Sequence, residues 1–398
     1  MKDLVAYTLG VMLSVFFRSN LAVLAPELSV DLRATASDLG TLSGVWFFSF
    51  ALAQVPVGVA LDRWGPRLTV TVGLSIGVVG ACLFAAAPSI STAIFAQILL
   101  GLACAPLFMA TVVYIARNWA RERFLSVMAI VLATSNMGAI LAATPLAAMS
   151  EWLGWRGAMW GMAAATFLLT LYIVLAVGKD APAQARESMS QAVRGIAVVM
   201  GVRELWPLLP FVLVCSGVIM AVRALWGGPY LADVFGMGPV DRGNVLVGMV
   251  LAASVLNYAI GPLERWAGSP RPLVMIVSAV TAVALIVMTI WPSASVTLSV
   301  VLMIVVGLFG AAYGLAIAHG RVFFPAGKEG RGATLLNFFN FIGAAVMQVA
   351  TGEVIERSLN AGLSHAQAYA IMFAFLVVLL VLSLIPYRKS KIPLSADA

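Results

Sequence analysis

The chain has 398 residues, of which 62% are hydrophobic and 10% charged, and its formal net charge at neutral pH is +7. That balance excludes a soluble globular protein and leaves no polar surplus for a separate soluble domain. Cys82, Cys104 and Cys215 all fall in apolar runs, so neither a disulfide framework nor a metal site is expected.

Apolar runs long enough to cross a bilayer recur from end to end. In chain order they cover about 4–28, 39–61, 68–87, 90–116, 124–149, 156–177, 205–232, 243–263, 272–291, 295–319, 333–355 and 366–386. A backbone in lipid must satisfy its own hydrogen bonds, so these are expected to be helices. The first carries Arg18 and lacks a small-residue cleavage site, which predicts a genuine span rather than a signal peptide. Arg18 lies ~21 Å into it, near the middle of a ~30 Å hydrocarbon core. Arg223 sits at a similar depth in the seventh run. A charge at that depth costs at least ~2.5–3.5 kcal/mol on insertion scales and usually lines a cavity.

Between the sixth and seventh runs, 179–204 is the one long polar connection, expected as a solvated linker with room for a short surface helix. It divides the chain into an N-terminal bundle, 1–178, and a C-terminal bundle, 205–398. The halves echo each other. Gly58, Asp62, Arg63, Trp64, Gly65 and Arg67 follow the second run, and Gly261, Glu264, Arg265, Trp266, Gly268 and Arg271 follow the eighth. Arg18 precedes Asp62 by 44 positions and Arg223 precedes Glu264 by 41. Two six-helix repeats around a midplane site is a transporter design. With both termini inside, 18 of the 24 basic residues fall in cytoplasmic loops and ends, and Arg33, Arg156, Arg242 and Arg357 fall outside. This positive-inside bias accounts for the net charge without nucleic acid, and names the lipid bilayer as partner.

Gly58, Asp62, Arg63, Gly65 and Arg67, with Glu264 and Arg265 in the second half, are the gating candidates. An acid at a helix end can pair with basic groups and lock one face of the bundle. The segment Gly58 to Arg67 resembles the loop after helix two in the major facilitator superfamily, G-x-x-x-D-R-x-G-R/K, with Pro66 where a basic residue is expected. The stretch Arg18-Ser-Asn20-Leu-Ala, with Gln54-x-Pro56-x-Gly58, is similar to the anion:cation symporter (sialin-like) branch. The organophosphate antiporter branch has arginines in the first and seventh helices too. The resemblance is good over 16–67, moderate over 121–138 and weak in the second half. It implies an all-α membrane protein with twelve transmembrane helices in two pseudo-symmetric six-helix bundles. It also implies that Arg18 and Arg223 bind an anionic group from a central cavity.

A guanidinium can grip a carboxylate or phosphate bidentately and keeps its charge when desolvated. Other substrate-binding candidates are Tyr7, Asn20, Gln54, Asn136, Asn337 and Asn340, with Trp226 and Tyr230 as pocket walls one and two turns beyond Arg223. Gln97, Asn257, Tyr258 and Gln348 are further polar residues in apolar runs, each equally suited to helix packing. Sialin-like symporters carry an embedded acid in helix four. Here that helix reads Gln97 to Pro106 without one, so proton coupling on that helix is not expected; either His319 carries the coupling proton, or the carrier exchanges anions or uses another ion. Glu27 and Glu353 are expected near the outer surface and solvated.

No nucleophile motif, phosphate-cradling loop or metal cluster is present, so neither an enzyme nor a cofactor is expected. The expected function is secondary active transport of a small organic anion, carboxylate or phosphate-like, across a bacterial-type inner membrane by alternating access. The expected partners are that anion and a coupling proton or other ion, and the expected state is a monomer. The alternatives are a proton-coupled drug or metabolite exporter and, more distantly, a polytopic membrane sensor.

Overall fold

In a computed structural model that describes residues 2–178, 189–325 and 327–390, the expected apolar runs are helices, and the described residues contain no strand. Helices α1 (Lys2–Ser19) and α2 (Leu21–Leu32) form one span bent by 48° at Asn20. Helix α3 (Ala36–Ala85) makes two passes in 50 residues. A capping box starts it: the Thr35 hydroxyl accepts from the Asp38 amide at 3.2 Å, and the Thr35 amide donates to the Asp38 carboxylate at 3.0 Å. The two passes meet at Gly65, whose φ of 79° is open to glycine and strained for most other residues. The tight turn expected after the second span is this single kink.

Helix α4 (Ile90–Asn118) is one pass. Helices α5 (Arg121–Ser135), α6 (Met137–Leu141) and α7 (Thr144–Ala176) supply two more, with the reversal at Gly154. In the second half, α9 (Leu209–Met220), a π-helical segment at Ala221–Trp226 and α10 (Gly227–Phe235) form one span. Helices α11 (Pro239–Ala267) and α12 (Pro270–Ile290) follow. Helices α13 (Val296–Leu308) and α14 (Ala312–Arg321) are joined through a 3-10 turn at Phe309–Ala311, and α15 (Glu329–Asn360) and α16 (His365–Tyr387) complete the set. With α3 and the α5–α7 run counted as two passes each and α1–α2 as one bent span, the chain crosses twelve times.

Between the halves, α8 (Met189–Met200) is a helix packed on α3 and α15, with Val199 buried. The connection is thus structured here rather than a plain solvated linker, because its apolar face finds cover. Residues 179–188, which include Lys179 and Arg186, lie outside the described residues, as do 391–398.

An even number of passes puts Lys2 and Ser390 at the same end, called here the near end. At the opposite, far end the two halves meet along three seams. Helix α3 lies on α15 with Gly40 against the backbone of Gly352: a Cβ on Gly40 would sit 2.6 Å from the Gln348 carbonyl and 3.0 Å from Gly352 Cα. Helix α10 meets α2 at Gly228 and the Ala22 carbonyl. The Thr144 hydroxyl donates to Asn244 at 2.8 Å, joining α7 to α11. Small residues allow such approach, and each added contact replaces lipid or water at the seam.

Candidate functional site

The far-end seal carries charge as well. Arg242 of α11, 2% exposed, donates to Glu27 of α2 at 2.6 Å. Glu356 accepts from the Ala36 amide at 2.9 Å, and Glu353 accepts from the Ser37 hydroxyl at 3.2 Å and from Arg357 at 2.7 Å. The expectation of Glu27 as solvated is corrected, since its carboxylate holds the buried Arg242; Glu353, with its side chain 43% exposed, is solvated at the far end as expected, and Arg242 lies at that same end. Arg242 and Glu27 are 215 residues apart in sequence, and Glu356 and Glu353 reach Ala36 and Ser37 across 320 and 316, so these contacts form only when the halves pack. Among the described residues, Glu27 is the acid paired with Arg242.

Below this seal lies a cavity of about 740 Å³ bounded by both halves. The chain breaks in three spans that border it. Arg18 sits in the last turn of α1 just before the 48° bend, Arg223 sits inside the π segment, and Gly310 lies in the 3-10 turn. Interrupted helices free backbone groups and reaim side chains, which is why they recur at transport sites. Both guanidinium groups face the cavity, and their buried Nε atoms lack hydrogen-bond partners. Arg223 reaches only the Met220 sulfur, at 3.9 Å. Among the described residues no acid pairs with either arginine, and the cavity lining contains no Asp, Glu or His.

Gln54, Asn136, Asn257, Asn337 and Asn340 also line the cavity, and Phe47, Phe50 and Phe341 form an aromatic wall between α3 and α15. The Tyr313 hydroxyl donates to Asn337 Oδ1 at 3.1 Å, and the Ser216 hydroxyl donates to Asn340 Oδ1. With their oxygens engaged, the two asparagines present their amide N–H groups. The site is therefore rich in donors and carries two positive charges. Tyr313, Ser14, Ser216 and Ser254 are lining residues that the sequence reading does not pick out. A hydroxyl is a weak signal, since Ser can satisfy itself on its own helix, as Ser254 does on the Val250 carbonyl at 2.9 Å. The lining continues through Val113 to Gly330 and Thr334, in the first turns of α15 at the near end.

Several sequence candidates stand elsewhere. Tyr7 packs against Tyr114, with ring centroids 4.8 Å apart and planes tilted by 41°. Asn20 is fully buried at the α1–α2 break, with its amide 3.7 Å from the Met159 sulfur. Trp226 donates to Thr351 at 2.8 Å, and Tyr230 donates to the Pro292 carbonyl at 2.6 Å. These four face helix neighbours rather than the cavity, because each turn of a span has only one inward side. Tyr258 is 76% exposed on the outer face of α11. Gln97 is buried in α4 without a hydrogen bond to its side chain, away from the lining. His319 is buried in α14 with Nδ1 2.9 Å from the Tyr387 hydroxyl, also away from the lining.

Of the gating candidates, Gly65 makes the α3 kink, and Arg67 donates to the Val174 carbonyl at 2.6 Å, tying that kink to α7 within the first half. Gly58 and Asp62 are partly buried and Arg63 is exposed. In the second half Glu264 is partly buried and Arg265 exposed, just before Gly268, whose φ is 70°.

A family model described as Major Facilitator Superfamily matches residues 7–348. A probable L-galactonate transporter of Escherichia coli (strain K12) is 30% identical over 142 residues, which are 35% of this chain and 31% of that protein. The uncharacterized transporter YybO of Bacillus subtilis (strain 168) is 35% identical over 66 residues, 17% of this chain and 15% of that protein. The matched stretch thus spans under a third of each curated relative. Among solved structures, a bacterial homologue of the human lysosomal transporter Spinster superposes with a TM-score of 0.82 at 17% identity, over 97% of this chain and 95% of that one. The nucleoside transporter NupG superposes with a TM-score of 0.79 at 16% identity, over 98% and 100%. At those identities the likeness is one of fold.

Proposed function

Because this chain belongs to the Major Facilitator Superfamily, we propose that it is a secondary active transporter for a small organic anion held between Arg18 and Arg223. The observation that carries this reading is the pair of guanidinium groups in one two-sided cavity with no acid beside them among the described residues. A buried, unpaired cation is costly, and an anionic substrate is the partner that offsets that cost. A drug or metabolite exporter coupled through an embedded acid would need a carboxylate at the cavity, and the lining supplies amides and hydroxyls instead.

Those amides favour a carboxylate with several hydroxyl groups over a bare inorganic ion. The curated relative's name points the same way, so hexonates come first among test compounds. The basic loops support an orientation with the near end cytoplasmic, in the plasma membrane. The bundles 1–178 and 205–398 then rock about the site: the far-end seal opens, and the near end closes through the Asp62 and Glu264 turns. In that orientation the cavity described above faces the cytoplasm.

The test is a thermal-shift screen of purified protein against gluconate, galactonate, phosphate and sulfate, with the neutral sugar alcohol glucitol as control. A ligand that binds the native state raises Tm by mass action. Stabilisation by hexonates and not by glucitol is the expected result. Equal response to glucitol, or none to any anion, would overturn the reading.

A further inference from the structure

We propose that Gln348 and Thr351 are positioning residues for the anion site: from one face of α15 they hold both ends of the π segment that aims Arg223 into the cavity. A π turn leaves a carbonyl at its start short of its usual α-helical partner. The Met220 carbonyl, immediately before the segment, accepts from Gln348 Nε2 at 2.9 Å. At the other end, Trp226 donates its indole N–H to Thr351 Oγ1 at 2.8 Å. Arg223 sits midway between these two ties. Gln348 and Thr351 are three residues apart, hence on one helix face.

The chemistry argues for a purpose. Gln348 is fully buried, and its Oε1 has no hydrogen-bond partner. A leucine or methionine would fill the same space without stranding a polar atom. What the amide supplies, and an apolar side chain could not, is the donor to Met220.

The same turn of α15 is also the far-end seam. The Gln348 carbonyl and Gly352 are the groups that press on Gly40, and Val349 lies beside Gly44. Opening the far end lifts α3 off the turn that mounts Arg223. Anion affinity and the seal are therefore linked through one turn of helix, and a ligand that binds one state better shifts the balance between states.

The inference rests on Arg223 being an anion ligand, and a double-mutant cycle separates the two ideas. The Kd for gluconate is measured by calorimetry on purified full-length protein for Arg223→Lys, Gln348→Met, Thr351→Val and each double variant with Arg223→Lys. Gln348→Met and Thr351→Val are each expected to raise Kd by about tenfold, the order of one buried hydrogen bond. In the background of Arg223→Lys the same changes should add little, because the group they position is already altered. A purely structural role would lower Tm and add its full effect in both backgrounds. Full additivity, or an unchanged Kd in a folded Gln348→Met or Thr351→Val protein, overturns the positioning role alone. An unchanged Kd in Arg223→Lys overturns both it and the anion clamp. If Gln348→Met fails to fold, the Thr351→Val cycle decides.

Discussion

Arg242 of α11 donates to Glu27 of α2 at 2.6 Å across the far-end seam, with its own side chain 3% exposed and that of Glu27 30% exposed. The pair joins residues 215 positions apart in sequence. It forms only when the halves are closed at this end, so it stabilises one conformation over the other. Glu27→Gln leaves Arg242 without its charge partner in the closed state and matters less once that end is hydrated. The expected penalty is on the order of 1–2 kcal/mol after discounting for the exposure of Glu27. Distance measurements between spin labels at the far end should show a larger open population in Glu27→Gln. An unaltered distance distribution would remove the pair from the gate.

Backbone contact at Gly40 makes a steric prediction. Any side chain there meets the Gln348 carbonyl 2.6 Å from its Cβ, and backbone cannot swing aside as a flexible side chain can. Gly40→Val should hold the far end open. A cysteine placed at Ala345, a buried residue whose carbonyl lies against Gly44 at the same seam, in a cysteine-free background should then react with membrane-impermeant thiol reagents far faster than in the Gly40 parent. Equal labelling rates would show that the seam tolerates the side chain.

The clamp itself is tested at Arg18. Arg18→Lys keeps the charge and loses the fork, so gluconate Kd should rise at least about tenfold, with uptake into proteoliposomes falling in parallel. The helix is interrupted at this point by a bend of 48°, so a change in Tm is recorded alongside to exclude misfolding. Folded Arg18→Lys protein that transports at the unmodified rate would end the clamp hypothesis.

At the near end, Asp62 is expected to engage basic groups when that end shuts. Asp62→Asn should enlarge the near-end-open population, read as longer distances between labels on the ends of α3 and α15. Identical distances in the variant and the unmodified protein would count against a gating role.

His319 borders no part of the cavity, and its Nδ1 lies 2.9 Å from the Tyr387 hydroxyl. His319→Gln is therefore expected to lower stability by about 1 kcal/mol, the scale of one hydrogen bond, and to leave the response of uptake to an imposed pH gradient unchanged. Loss of gradient-driven uptake with counterflow intact would instead make His319 the coupling group. Gradient-insensitive uptake in the unmodified protein would point to anion exchange or another ion.

Read alone, the sequence determined the membrane class, the twelve crossings and the depth of Arg18 and Arg223 in apolar helices. Those signals are local. An apolar run must be a helix in lipid, and an arginine inside one must earn its place by what it faces. Asn337 and Asn340 were legible for the same reason: polar residues three apart in an apolar helix share a side. Tertiary structure alone decided which polar residues face the cavity and which face neighbours. Trp226 and Tyr230 follow Arg223 on the same span, yet both turn into the second half, toward Thr351 and Pro292. Helical spacing could not foresee that, because the π segment shifts the phase of every residue after it. The seal at Glu27 and Arg242, and the tie from Gln348 to Met220, were likewise invisible in the sequence. Each joins groups more than 100 positions apart, and such pairs are set by how whole helices pack, not by any pattern within one of them.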